Sequence, residues 1–189
     1  AGPVRLPGYN TDRNAYFGDL HVHTYLSNDA YIFNVRRTPD DAYRFAKGEV
    51  IGHANGMPVR LAGGPLDFVA VTDHAEYMAV MRDAGDRSNP LSKLPFSAGL
   101  FSPDPAEIMR MFDRFVAARQ GGTLPKEYLD PQITSRAWAE VREAAARQYP
   151  LPGIGSPDEL AELMVWLLSD KAARVTGQVW ALDGGFSSI

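Results

Sequence analysis

The stretch "PLDFVAVTDH", residues 65–74, decides the fold. Its β-branched and aromatic residues are dense through Val71, and the run then ends on Thr72, Asp73 and His74. A near-continuous apolar run of this length reads as a strand covered on both faces, the mark of a parallel sheet, and its polar end as a sheet edge where ligands collect. "AYFGDLHVH", 15–23, reads the same way and runs into the turn-forming "TYLSND". Side chains alternate along a strand, so His21 and His23 point one way and Val22 the other. If the two strands run parallel, their ends share an edge, and three of the four histidines of the chain meet there.

Helices surround these strands in the pattern. "TPDDAYRFAKGE", 38–49, begins with Thr-Pro and two acids and predicts a short capped helix. Helical periodicity begins again at "AEYMAVMRDAG", 75–85. In "DPAEIMRMFDRFVAARQGG", 104–122, Ile108, Met111, Phe112 and Phe115 form one stripe, with Gly121 as the stop. "DPQITSRAWAEVREAAARQYP", 130–150, is a further long helix. "SPDELAELMVWLLSD", 156–170, is another, with Ser156 as N-cap, Pro157 in the first turn and Glu159 completing a capping box. There Leu160, Leu163, Met164 and Leu167 supply an apolar stripe. Residues 1–14, 52–64 and 85–103 read as loops, and "GQVWALDGG", 177–185, as a strand and turn. The boundary falls in "YPLPGIGSP", 149–157, dividing the chain into 1–150 and 151–189, expected to pack as one compact unit.

Composition narrows the function classes. At 189 residues the chain can bury a substantial core. No apolar run approaches the roughly 18 residues of a membrane span, so the expectation is a soluble protein, with no leader segment visible in these residues. The formal charge of −4 and the lack of any Lys/Arg cluster beyond Arg36 and Arg37 argue against nucleic acid as a partner. With no cysteine, His and carboxylates remain as the strong metal ligands.

The metal reading follows from the two strand ends. His21, His23 and either Asp73 or His74 are candidate ligands of a divalent cation, zinc or manganese, with Asp19 as a further ligand or orienting group. Asp29 and Glu76 are candidates for proton transfer beside a metal-bound water. His53, in the Gly-rich loop, reads as an exposed histidine.

Two resemblances rest on these residues. "AYFGDLHVHTYLSNDAYIFN", "PDDAYRFAKGE" and "PLDFVAVTDHAEYMAVM", with "AWAEVREAAARQYP", resemble a domain-of-unknown-function family allied to the PHP (polymerase and histidinol phosphatase) superfamily, over about residues 14–150. In that superfamily the first motif is His-x-His and the second ends Thr-Asp-His, matching His21, His23, Asp73 and His74. The resemblance implies a distorted β/α barrel, bound Zn, Mn or Fe ions and phosphoester hydrolysis. Its later Glu, His and Asp-x-His motifs have no counterpart, so a reduced site of one or two ions is implied. The last 35 residues, from "GSPDELAEL" through "VTGQVWALDGG", resemble the C-terminal end of a short-chain dehydrogenase/reductase, a family that uses this helix and strand at subunit contacts. That resemblance implies self-association.

The expected fold is therefore α/β: a small, partly open parallel sheet, a truncated PHP-like β/α barrel, flanked by helices and closed by a Rossmann-type final helix and strand. The leading expected function is a metal-dependent hydrolase of ester or phosphoester bonds acting on a small-molecule substrate, and a homo-oligomer. The alternatives are a non-catalytic metal-binding or structural module derived from truncated enzymes, and an NAD(P)-linked oxidoreductase. Against the last stand the missing G-x-G-x-x-G fingerprint and a Tyr43-x-x-x-Lys47 match that follows no Rossmann strand.

Overall fold

The structure, a computed structural model, describes residues 17–149, 155–173 and 175. The strand expected at 177–185 and the leading loop at 1–14 lie outside them.

Strand β1 (Gly18–Val22) pairs in parallel with β4 (Phe68–Val71), Gly18 opposite Phe68 and Val22 opposite Val71, with an irregularity between Asp19 and Val22. Both strands are shorter than the apolar runs that predict them. Strands β2 (Ile51–Gly52) and β3 (Pro58–Val59) form a small antiparallel hairpin inside the Gly-rich segment read as loop. Among the described residues the parallel sheet has only two strands. The α/β class stands, with a small open parallel sheet; a PHP-like barrel is not shown. Among the described residues no second layer covers Leu20 of β1 or the adjoining Phe17, 65% and 70% exposed, although parallel sheets are ordinarily covered on both faces.

The core lies instead among helices. Helix α1 (Asn28–Ile32) follows β1, and α2 (Pro39–Ala46) starts on a complete capping box, Thr38 accepting from the Asp41 amide while Asp41 accepts from the Thr38 amide. Helix α3 is confined to Val80–Gly85, because Tyr77 and Ala79 hold left-handed backbone, with φ of 55° and 68°. The helical periodicity from residue 75 is thus interrupted before it begins. Residues 90–101, read as loop, form two 3-10 turns, Pro90–Lys93 and Pro95–Phe101. Helices α4 (Pro105–Gln120) and α5 (Pro131–Ala146) start on Asp104 and Asp130, each of which accepts from the amide two residues on.

Met78, Met81, Met111, Phe115, Tyr128, Ile133 and Ala137 form the centre of the core. Each large side chain buried there contributes roughly 1.5–3 kcal/mol. Arg82 of α3 bridges Asp83 and Glu140 at 2.8 and 2.9 Å, and Tyr25 donates to Glu140 at 2.6 Å, tying α5 to the α3 side.

Helix α6 (Pro157–Leu167) has the predicted capping box, Ser156 accepting from the Glu159 amide and Glu159 from the Ser156 amide. None of its residues is buried. The predicted stripe is present in sequence, but Leu160, Met164 and Leu167 remain exposed, because no described element covers them.

Candidate functional site

The ends of β1 and β4 are held together by one carboxylate. Asp73 Oδ1 accepts from the Thr24 amide at 2.7 Å and from Ser27 Oγ at 2.6 Å, and Oδ2 accepts from Thr24 Oγ at 2.7 Å. Ser27 Oγ in turn accepts from the His74 amide at 3.0 Å. Ser27 occupies the N-cap position of α1, yet its hydroxyl is committed to this clamp and caps nothing. Asn28 secures the same corner from behind, its Oδ1 accepting from the Met81 amide and its Nδ2 donating to the Glu76 carbonyl.

The clamp sets three side chains side by side. His74 Nε2 is 3.3 Å from Asp29 Oδ2, and His23 Nδ1 is 3.8 Å from Asp29 Oδ1. One nitrogen or oxygen from each of His23, Asp29 and His74 lies within 4.8 Å of the others. The His23 ring meets His74 edge-on at 4.5 Å and His21 at 4.7 Å, centroid to centroid. His21 thus adjoins the group from its exposed side. Asp73 lies in the clamp rather than in the cluster, with both oxygens occupied. Asp19 turns back to accept from the His21 amide at 2.8 Å. Glu76 lines the cleft beside His74 and Asp29. His53 is exposed and its Nδ1 accepts from the Asn55 amide.

Burial pulls the Asp29 carboxyl upward, but the Ala30 amide it accepts from and the imidazoles of His74 and His23 outweigh this, so its net shift is below the usual carboxylate range. Asp29 fixes the orientation of the His74 ring, and the two side chains present a hydrogen-bonding pair to the cleft. The exposed contact itself stabilises the fold by no more than about 1 kcal/mol.

Sequence reading missed the opposite wall of this cleft. Phe112, Val116 and Arg119 of α4 face His74, Asp29 and Glu76 across a space of about 290 Å³. The signal was in the sequence: these three residues recur at helical spacing beside the core stripe of Met111 and Phe115.

The chain belongs to the family described as protein of unknown function (DUF3604), whose model matches residues 10–167. The similar curated proteins are dehydrogenases and reductases matched over short stretches. The 2-(S)-hydroxypropyl-CoM dehydrogenase 3 of Xanthobacter autotrophicus is 44% identical over 50 residues, 26% of this chain and 20% of that protein. The inactive 2-(S)-hydroxypropyl-CoM dehydrogenase 2 of the same organism is 42% identical over 60 residues, 32% and 23% of the two chains. The 3-oxoacyl-(acyl-carrier-protein) reductase FabG of Thermotoga maritima is 36% identical over 58 residues, 31% and 24%. The chain therefore spans only a fifth to a quarter of the length of these relatives. No solved structure matches.

These findings support the short-chain dehydrogenase/reductase resemblance and correct two expectations. The hydrolase, PHP-like and metal-binding description is overturned, since the names of the similar proteins are those of dehydrogenases and reductases. The zinc or manganese cofactor falls with it, since the similar proteins are named as dehydrogenases and reductases and a His/Asp cluster at an exposed corner is not specific to a metal. No helix of the described residues is long and apolar enough to cross a membrane.

Proposed function

We propose that this chain serves an oxidoreductase of the short-chain dehydrogenase/reductase class as an association element, in which α6 pairs with α6 of a second copy. The observation that carries this reading is the bare apolar face of that helix. Leu160, Met164 and Leu168 recur every four residues with Val165 beside them, and Val165 and Leu168 are 68% and 86% exposed. An apolar stripe left open on a helix marks an interaction surface. At roughly 1.5–3 kcal/mol per fully covered side chain, burying four from each copy gives a gross gain comparable to the association cost of about 4–15 kcal/mol. A twofold arrangement lets the same stripe meet itself.

No G-x-G-x-x-G fingerprint follows a strand in this sequence, so none of the described residues is assigned to hold the nicotinamide implied by the relatives. Tyr43 and Lys47 line one cavity of about 370 Å³, but burial, followed by Tyr149, raises the Tyr43 pKa, and Lys47 does not offset it. A phenol that must give and take a proton near neutrality needs the reverse shift. No hydride step is therefore assigned to these residues.

Sedimentation equilibrium on the chain and on a Leu160→Glu/Val165→Glu variant tests the proposal. The expected result is a concentration-dependent dimer that the variant abolishes. A monomer at all concentrations contradicts it. Titration with NADH separates the second reading, an oxidoreductase complete in this chain, which the dehydrogenase names favour: a saturable rise in cofactor fluorescence supports that reading, and none is expected here.

A further inference from the structure

The cleft between α4 and the β4–α3 connection is chemically two-sided, and its two sides ask for different groups on one ligand. Phe112, Val116 and Arg119 lie on one stripe of α4 and form one wall; Asp29, His74 and Glu76 form the other. Arg119 makes no ion pair among the described residues, in contrast to Arg82, Arg110, Arg136 and Arg147. Its guanidinium lies 5.8 Å from the centroid of the Tyr77 ring, and that ring packs edge-on against buried Phe115 at 5.9 Å. Tyr77 keeps this position on left-handed backbone, a conformation that costs a non-glycine residue about 1–3 kcal/mol and persists only where its surroundings hold it. The arginine therefore rests against a fixed aromatic platform beside the cleft, with no hydrogen bond or ion pair from its planar donors among the described residues.

An anion in this cleft is attracted by Arg119, whose fork of donors matches a carboxylate. It is repelled by Asp29 and Glu76, so it must sit at the Arg119 end. The wall of Asp29, His74 and Glu76 offers acceptors and an imidazole, which suit a hydroxyl. Between them Phe112 and Val116 offer an apolar surface. At roughly 30 Å³ of liquid per water, the cleft holds about ten water-sized groups, at the lower limit of small-molecule sites.

We propose that this cleft binds a small hydroxyaryl acid, its ring bearing hydroxyl and carboxylate on opposite edges, with the carboxylate on Arg119, the ring against Phe112 and Val116, and the hydroxyl on Asp29 and His74. The assignment does not depend on the pairing of α6, which lies in another part of the chain, and it requires no metal.

The test is a titration of the ¹⁵N-labelled full chain with 4-hydroxyphenylacetate, whose ring separates hydroxyl from carboxylate, followed by amide shifts, with phenylacetate and phenyl phosphate as comparison ligands. The expected result is saturable shifts concentrated at residues 112–119 and 74–77. Phenylacetate, which lacks the hydroxyl, is expected to bind at least about tenfold more weakly, because it forgoes the hydrogen bonds of that hydroxyl to Asp29 and His74. Arg119→Met weakens 4-hydroxyphenylacetate binding at least about tenfold, and Val116→Trp, which fills the cleft, removes it. Shifts scattered elsewhere, equal affinity for 4-hydroxyphenylacetate and phenylacetate, or full binding by Arg119→Met overturns the proposal. Tighter binding of phenyl phosphate than of 4-hydroxyphenylacetate also overturns it, in favour of a phosphate site. Should either variant fail to fold, the shift map and ligand series on the unsubstituted chain decide the matter.

Discussion

Replacing Asp73 by alanine removes three hydrogen bonds at once, from the Thr24 amide, Thr24 Oγ and Ser27 Oγ. The donors lie on residues that are 1% and 0% exposed, so water cannot readily take over. A hydrogen bond to a charged acceptor contributes about 1.5–3 kcal/mol, and members of one network are not additive. A loss of about 3–5 kcal/mol follows, a large part of the 5–15 kcal/mol that typically separates folded from unfolded chains. For a chain of this size the melting temperature should fall by about 6–20 °C. Thermal unfolding by circular dichroism, with urea titration as a second measure, reads this directly. Asp73→Asn, which keeps the shape and one acceptor oxygen, should fall between. A change below about 1 kcal/mol for Asp73→Ala would refute the reasoning, since it would mean that the carboxylate does not hold the two strand ends.

Three further outcomes follow from particular contacts. The Asp29 carboxyl is lowered in the folded chain, so its contribution is present above the unfolded value of about 3.9 and is lost as pH falls through the folded value. Asp29→Asn should flatten that acid limb of stability against pH, and an unchanged limb counts against the cluster. Burial, then the hydrogen bond to Glu140, pushes the Tyr25 phenol up to about 12. The stability this confers is complete below about pH 10 and declines as pH rises towards 12. Tyr25→Phe should remove the last step of a phenolate absorbance titration, and retention of that step assigns it elsewhere. A Cβ on Gly99 would lie 2.7 Å from Met111 Cβ in the core. Gly99→Ala should therefore cost about 1–3 kcal/mol in urea unfolding, as overpacking does; no cost would mean that α4 is free to shift.

Much of this architecture was legible because local chemistry agreed with the final structure. The caps of α2 and α6 stand where Thr38 and Ser156 precede Pro and an apolar period, and the structure adds Asp104 and Asp130 as the caps of α4 and α5. The stripe on α4 was legible too, with Met111 and Phe115 fully inside. Long-range terms were not. Periodicity across residues 75–85 carries no sign of the left-handed Tyr77 and Ala79 that shorten α3. The role of Asp73 depends on hydroxyls 46 to 49 residues away in sequence, which spacing alone cannot supply. His23, Asp29 and His74 could be named as chemically apt, but their mutual distances follow from that clamp. Arg119 was hidden because its helix read as core support, and only the packing of α4 against the β4–α3 connection gives it a cleft to face. The stripe of α6 was legible as a stripe, while its exposure depends on what the rest of the chain fails to cover.

Hydrogen–deuterium exchange across residues 157–168, followed as protein concentration is raised, tests the association role most directly. Amides of this helix should become more protected as copies pair, and Leu160→Glu/Val165→Glu should abolish that gain. Exchange that is independent of concentration would contradict it.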